Sequence, residues 1–194
     1  GLGHVDTLLP LAQALRARGH EVVLALRDAA AAWPRVRDCG LPVLPTPVFF
    51  DRPWLTGGRG FRARSYADIL AWNGFDHPDQ LEPVVRSWQH LLALARVDLV
   101  VAEHAPLLAV ACHGRLPTLN IGTGFTVPVL AGDHFPAFAD APPLVPVAQV
   151  RDTVATVLSR TGATVPAEPL VAVLGKAQCV ATLREVDPYR SLRS

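Results

Sequence analysis

The chain has 194 residues, half of them apolar and 18% charged, with a formal net charge of +1. That length suits one full-sized domain or two small ones, and the apolar balance favours a buried core over disorder. Near-neutral charge gives no footing for a nucleic-acid or anionic-membrane partner, and no run is apolar enough to span a bilayer.

The chain opens on Gly1-Leu2-Gly3-His4 and then an amphipathic helix over residues 5–18, with Leu8, Leu11, Ala12 and Leu15 at helical spacing. Asp6 or Thr7 is placed to cap its start, Pro10 fits the first turn, and Gly19 is a natural stop. A glycine-rich stretch entering a helix presents free backbone N–H groups, and such loops ordinarily follow a β-strand. The expectation is therefore a larger protein in which a strand precedes Gly1.

Residues 21–26 are short, apolar and β-branched, as in a buried parallel strand. A helix over 29–39 follows, then a proline-flanked, edge-like strand over 42–45. Residues 46–65 lack a period and read as a long, glycine-rich loop. Helices are predicted over 66–72 and 78–95, the second with Leu81, Val84, Val85, Trp88, Leu91, Leu92 and Ala95 on one broad face. A strand over 98–102 leads through Glu103-His104 into an apolar helix over 106–113. The next strand, 117–121, runs into Gly122-Thr123-Gly124. Residues 127–146, rich in Pro, Ala and Asp, read as a long surface excursion; a helix over 147–160, another over 166–174 and a strand over 179–183 follow. Strands alternating with helices predict an α/β fold, a parallel sheet with helices on both faces.

In such sheets ligands bind at the carboxyl ends of the strands. That rule selects Gly1 to His4, Arg27-Asp28, Glu103-His104 and Gly122 to Phe125. The positive end of a helix dipole favours a neutral His, the form a general base needs, so His4 is either a base or a polar helix-end residue. Glu103 is either the carboxylate that orients such a base or a cap for the helix near Pro106. His104 is either a substitute for one of these two or a non-catalytic histidine. Gly122-Thr123-Gly124 offers backbone N–H groups to a phosphate or sugar, a weak signal because paired glycines are common in loops. The aromatics Phe49, Phe50, Trp54, Phe61, Tyr66, Trp72 and Phe75 either line a pocket or pack their segment onto the domain.

Several motifs fail on spacing. A dinucleotide-binding G-x-G-x-x-G would need a glycine where Asp6 stands, and Asp28 is only the nearest approach to its acidic partner. Neither a phosphate-binding P-loop nor a G-x-S-x-G elbow is present. Cys39, Cys112 and Cys179 are widely spaced without CxxC, which argues against zinc and fits a reduced, cytoplasmic setting; Cys112 reads as core.

Gly3-His4-Val5, continuing through Leu8-Leu9-Pro10-Leu11-Ala12-Gln13-Ala14-Leu15-Arg16-Ala17-Arg18-Gly19-His20-Glu21-Val22-Val23, resembles the opening of UDP-glycosyltransferase-like enzymes of the GT-B fold. The strand ending in Glu103-His104, and Asn120-Ile121-Gly122-Thr123-Gly124-Phe125, resemble later segments in the same order. The resemblance runs from residue 1 to 194, and only the first stretch is specific.

The resemblance implies a two-domain enzyme whose N-terminal half binds the acceptor and whose C-terminal half binds a nucleotide sugar. His4 would deprotonate the acceptor hydroxyl for inverting attack, and Glu103 would support it. Gly3, His104, Gly122, Thr123, Gly124 and Phe125 would border the acceptor, with no metal or other cofactor. Thr7 stands where the family often has Pro, and Glu103 where it more often has Asp. No counterpart of the donor-contacting segment is present. Residues 1–194 thus read as an acceptor-binding half without its first strand. Its partners would be a small-molecule acceptor and the donor-binding domain of the same protein, and it would be inactive alone. Other readings are a non-catalytic binding or scaffolding module derived from such a domain, and a sugar-nucleotide epimerase of the same architecture.

Overall fold

In the computed structural model, residues 2–48, 60–138 and 140–193 are described. They fall into two compact units, divided after residue 48.

The first unit contains α1 (Leu2–Ala17), β1 (Leu24–Leu26), α2 (Ala29–Val36) and β2 (Val43–Pro45). The two strands are parallel, with Leu24 opposite Val43 and Leu26 opposite Pro45. Val5, Ala12, Leu24, Leu26, Ala32, Val36 and Leu41 form the core. Gly19 ends α1 at φ +90, while the N–H groups of Gly19 and His20 donate to the carbonyls of Arg16 and Leu15. This paired arrangement satisfies two of the helix's last carbonyls and requires a left-handed residue, which glycine supplies without a Cβ penalty. Asp28 caps α2, its Oδ1 accepting from the Ala31 N–H at 2.9 Å.

The start of α1 departs from expectation. The helix begins at Leu2, so Gly3 and His4 lie in its first turn and Pro10 in its interior. Asp6 and Thr7 are not at its start. The Thr7 hydroxyl donates back to the Gly3 carbonyl at 3.2 Å, and Asp6 pairs with Arg35 at 2.5 Å. Pro10 sits on the exposed side, where water can serve the carbonyl one turn back that loses its N–H donor.

The second unit contains α3 (Tyr66–Leu70), α4 (Pro78–Leu94), β3 (Val100–Ala102), α5 (Pro106–Cys112), β4 (Thr118–Gly122), α6 (Val147–Arg160) and β5 (Ala177–Val180). The strands form one parallel sheet in the order β3-β4-β5, with Ala102 opposite Asn120 and Gly122 opposite Val180. Both units are therefore parallel α/β, sheets flanked by helices, as the alternation of periods predicts. The predicted face of α4 is buried at Leu81, Val85, Trp88 and Leu92, meeting Val150, Val154, Val157 and Leu158 of α6 in one core with α5. Cys112 belongs to that core.

Two local expectations change. The helix over 66–72 passes into a π-helical turn, Ala71–Phe75, where Gly74 takes φ +89 and the Asn73 side-chain amide donates to the Ile69 carbonyl at 2.7 Å. The stretch 127–146 is more than a surface excursion, because Val127, Phe135 and Val145 are buried. Asp68 holds part of it: its carboxyl accepts from the Arg64 N–H at 2.8 Å and from the Leu144 N–H at 2.7 Å. The Phe138 N–H donates in turn to the Arg64 carbonyl at 2.6 Å, and the Arg64 guanidinium reaches the Pro142 carbonyl at 2.7 Å.

Candidate functional site

Because β3, β4 and β5 are parallel, their carboxyl ends gather at one edge of the sheet of the second unit. β3 delivers Glu103 and His104 there, and β4 delivers Gly122 through Val127. Glu103 is buried at 9% exposure. A Cβ added at Gly122 would stand 2.9 Å from Glu103 Oε1 and collide with Thr126 Oγ1. Glycine at 122 thus lets the Glu103 carboxyl and the Thr126 hydroxyl pack over the end of β4. The N-cap of α5 is Ala105, so Glu103 does not occupy that capping position.

His104 is half-buried and takes φ +50, a left-handed conformation uncommon outside glycine. Its ring faces Tyr66 at a centroid distance of 6.0 Å and Phe125 at 6.5 Å. The series continues from Phe125 to Phe138 at 5.3 Å, and from Phe138 to Tyr189 at 6.4 Å. Phe125 is 42% exposed, so the series begins at the surface and ends on buried tyrosines.

The turn after β4 closes on itself, the N–H groups of Thr126 and Val127 both donating to the Thr123 carbonyl at 3.1 Å. Thr123 and Phe125 point to solvent, whereas Gly122 and Gly124 are buried. Gly124 lies against Asp187: a Cβ there would strike the Asp187 carboxyl and stand 3.0 Å from its Cα, a backbone atom that cannot step aside. Of the six predicted second-unit positions, Glu103 packs near Gly122 and His104 faces Phe125 at this edge, with Thr123 and Gly124 in the same turn. Gly3 and His4 belong to the first unit, in the first turn of α1, with Gly3 exposed and His4 half-buried.

The remaining aromatics divide. Phe61 and Trp72 stack at 4.5 Å, and Tyr66 and Phe75 are core, which is the packing alternative. Phe49, Phe50 and Trp54 lie outside the described residues. An open depression of about 550 Å³ is lined by Ala137, Phe138, Asp140, Ala141 and Pro142. It shares Phe138 with the ring series, but neither Glu103 nor the β4 turn lines it, so the strand-end cluster is the better candidate chemically.

Sequence reading missed Asp187 and Arg193, which border the β4 turn from more than sixty residues away, and Tyr189, whose ring meets Phe138 and Arg193. No local pattern marks them; a buried tyrosine in a polar C-terminal stretch shows only once the chain is folded. The Tyr189 hydroxyl has no hydrogen-bond partner among the described residues. Burial pushes the Tyr66 phenol far above its ordinary pKa, with Tyr189 and Glu103 adding to the rise. Burial also pushes Tyr189 up to about 12, against the lowering effect of Arg193 and with a further rise from Asp187.

These are the chain's two tyrosines. Each has a folded-state pKa above its unfolded value of about 10, so its contribution to stability is intact below that pH and is lost as pH rises toward the folded value. Within that window each costs about 1.4 kcal/mol per pH unit. Tyrosinate absorbance is expected to stay low through about pH 10, where a free phenol is half ionised, and to rise together with loss of circular dichroism. A reversible titration near the ordinary value with structure retained would contradict the burial of both phenols.

No protein-family model matches the chain, and no curated protein matches it. Among solved structures it is similar to the glycosyltransferase SsfS6 of Streptomyces sp. SF2575, at 23% identity and a TM-score of 0.47, covering 81% of this chain and 42% of that one. It is similar also to that glycosyltransferase complexed with thymidine diphosphate, at 22% identity and a TM-score of 0.46, covering 81% and 41%. The chain thus spans less than half the length of these solved structures.

Proposed function

We propose that residues 1–194 are the acceptor-binding half of an inverting, nucleotide-sugar-dependent glycosyltransferase that moves a hexosyl group to an acceptor hydroxyl. The observation that carries the reading is the strand-end cluster of the second unit: a buried carboxyl at Glu103 packed on Gly122, beside a line of rings that starts at exposed Phe125. Parallel α/β sheets bind ligands at this edge. Apolar rings with a few polar groups among them suit an organic acceptor carrying a hydroxyl. The left-handed His104 adds support, since such residues persist where the surroundings impose them, often at functional sites.

In this reading His4 takes the acceptor proton as the hydroxyl oxygen attacks the anomeric carbon. The bond to the nucleotide diphosphate breaks on the opposite face, and the diphosphate leaves with the bonding pair. Glu103 stabilises the imidazolium that forms, as a carboxylate does for a histidine base. Gly3, His104, Gly122, Thr123, Gly124 and Phe125 border the acceptor. The donor is held by a second domain, and the chain works without a metal or other cofactor.

The test is Glu103→Gln in the full-length protein, which keeps shape and removes charge. A charge-assisted hydrogen bond contributes about 1.5–3 kcal/mol, so kcat is expected to fall roughly tenfold to a hundredfold with the fold retained. An unchanged kcat would remove Glu103 from the mechanism. Specific acceptor binding with no turnover under any donor would favour the scaffolding module instead.

A further inference from the structure

The β4 turn that carries Thr123, Phe125 and Thr126 has a fastening that the reaction does not itself require. Asp187 is buried at 7% exposure. Its Oδ1 accepts from the Tyr189 N–H at 2.9 Å, and its Oδ2 accepts from Arg193 Nε at 2.8 Å. The side chains of Asp187 and Arg193 are 6% and 19% exposed, so this ion pair is largely shielded from water. The same guanidinium donates to the Gly124 carbonyl at 3.1 Å and to the Val127 carbonyl, and lies 5.5 Å from the centre of the Tyr189 ring. One arginine therefore bridges both ends of the turn, while Asp187 fills the space where a side chain at position 124 would stand.

We infer that the Asp187–Arg193 pair is a latch that positions the β4 turn, setting Phe125 against His104 and Thr126 over Glu103 for acceptor binding. The inference rests on the proposed transferase reading and adds two positioning residues to it. A planar fork is needed to reach two carbonyls while keeping the carboxylate, and lysine has no such fork. The pair is not a general staple of the domain. Its hydrogen-bond partners are the Gly124 and Val127 carbonyls and the Tyr189 N–H, and none of these residues belongs to the large core of α4, α5 and α6.

The test compares wild-type, Arg193→Met, Arg193→Lys and Asp187→Asn in the full-length protein by steady-state kinetics, with hydrogen exchange at Gly124 to Val127. A lost charge-assisted contact corresponds to roughly tenfold or more in binding. Arg193→Met is expected to raise the acceptor KM roughly tenfold, with donor KM unchanged and kcat altered much less. Faster exchange should be confined to the turn. Asp187→Asn should raise acceptor KM less, and Arg193→Lys should restore part of the loss.

A purely structural role would lower the melting temperature and all kinetic parameters together, and that outcome overturns the inference. So does an unchanged acceptor KM in Arg193→Met while wild-type transfer proceeds, a result that leaves the transferase reading standing. Absence of transfer by the wild-type protein overturns the transferase reading, and the acceptor role of the latch with it.

Discussion

His4→Ala in the full-length protein is expected to lower hexosyl transfer by roughly 10³-fold, within the 10²–10⁴ that a positioned general base contributes. An acceptor hydroxyl is a poor nucleophile until its proton is taken, and water is a weaker and less well-placed base than a held imidazole. His4 is half-buried in the first turn of α1, and the core of its unit is built from Val5, Ala12, Leu24, Leu26, Ala32, Val36 and Leu41. Removing the ring should therefore leave circular dichroism and the melting temperature nearly unchanged. His4→Gln, which keeps a polar side chain without the basic nitrogen, should be as inactive as His4→Ala. In the proposed mechanism the His4→Ala and Glu103→Gln losses should not add, because a carboxylate that acts through the imidazole has nothing to support once the ring is gone. Near-normal transfer by His4→Ala, with the fold intact, would remove His4 from the chemistry.

The second large effect concerns stability. Asp68→Ala is expected to cost about 2–5 kcal/mol, since it deprives two backbone N–H groups, of Arg64 and Leu144, of their acceptor. Asp68 is 1% exposed, so water reaches the vacated positions poorly. The loss also loosens the segment that brings Phe138 against Phe125. Asp68→Asn preserves one acceptor oxygen and turns an amide NH₂ toward an N–H donor, so it should recover only part of the loss. Chemical denaturation of the three proteins measures this. A variant within about 0.5 kcal/mol of wild type, the range of an ordinary surface change, would show that Asp68 does not hold the segment.

Much of the fold is legible in the sequence where the pattern is local. α6 occupies the predicted residues 147–160, and α4 ends one residue short of its prediction, because long amphipathic runs carry their period over several turns. β1, β2 and β3 come out shorter than predicted, β4 keeps its five residues one position further on, and β5 begins two residues before its prediction, at Ala177. The run over 21–26 pairs only at Leu24–Leu26, since its partner is the short Val43–Pro45 and prolines 42 and 45 offer no N–H to extend the ladder. The 166–174 helix tightens to a 3₁₀ turn at Pro169–Val173. The start of α1 is not legible from residue type, because Asp6 is engaged by Arg35 and Thr7 by the turn before it.

The candidate site divides in the same way. Glu103, His104, Gly122 and Phe125 are found by a topological rule, which needs only strand order and direction. Asp68, Asp187 and Arg193 are not, because each meets a residue more than sixty positions away: Asp68 the Leu144 N–H, Asp187 the backbone of Gly124, and Arg193 the Gly124 and Val127 carbonyls. Nothing in a single sequence distinguishes a buried Asp with two N–H donors from an exposed one.

The most direct measurement is the stereochemistry of transfer by the full-length protein. Incubation with nucleotide sugars and a panel of hydroxyl-bearing aromatic acceptors, followed by NMR of the anomeric proton, reports both the reaction and its course. The account predicts a hexosyl product whose anomeric configuration is inverted relative to the donor, formed by the wild-type protein and lost with His4→Ala. Retention of configuration, or acceptor binding without product under every donor, would contradict it.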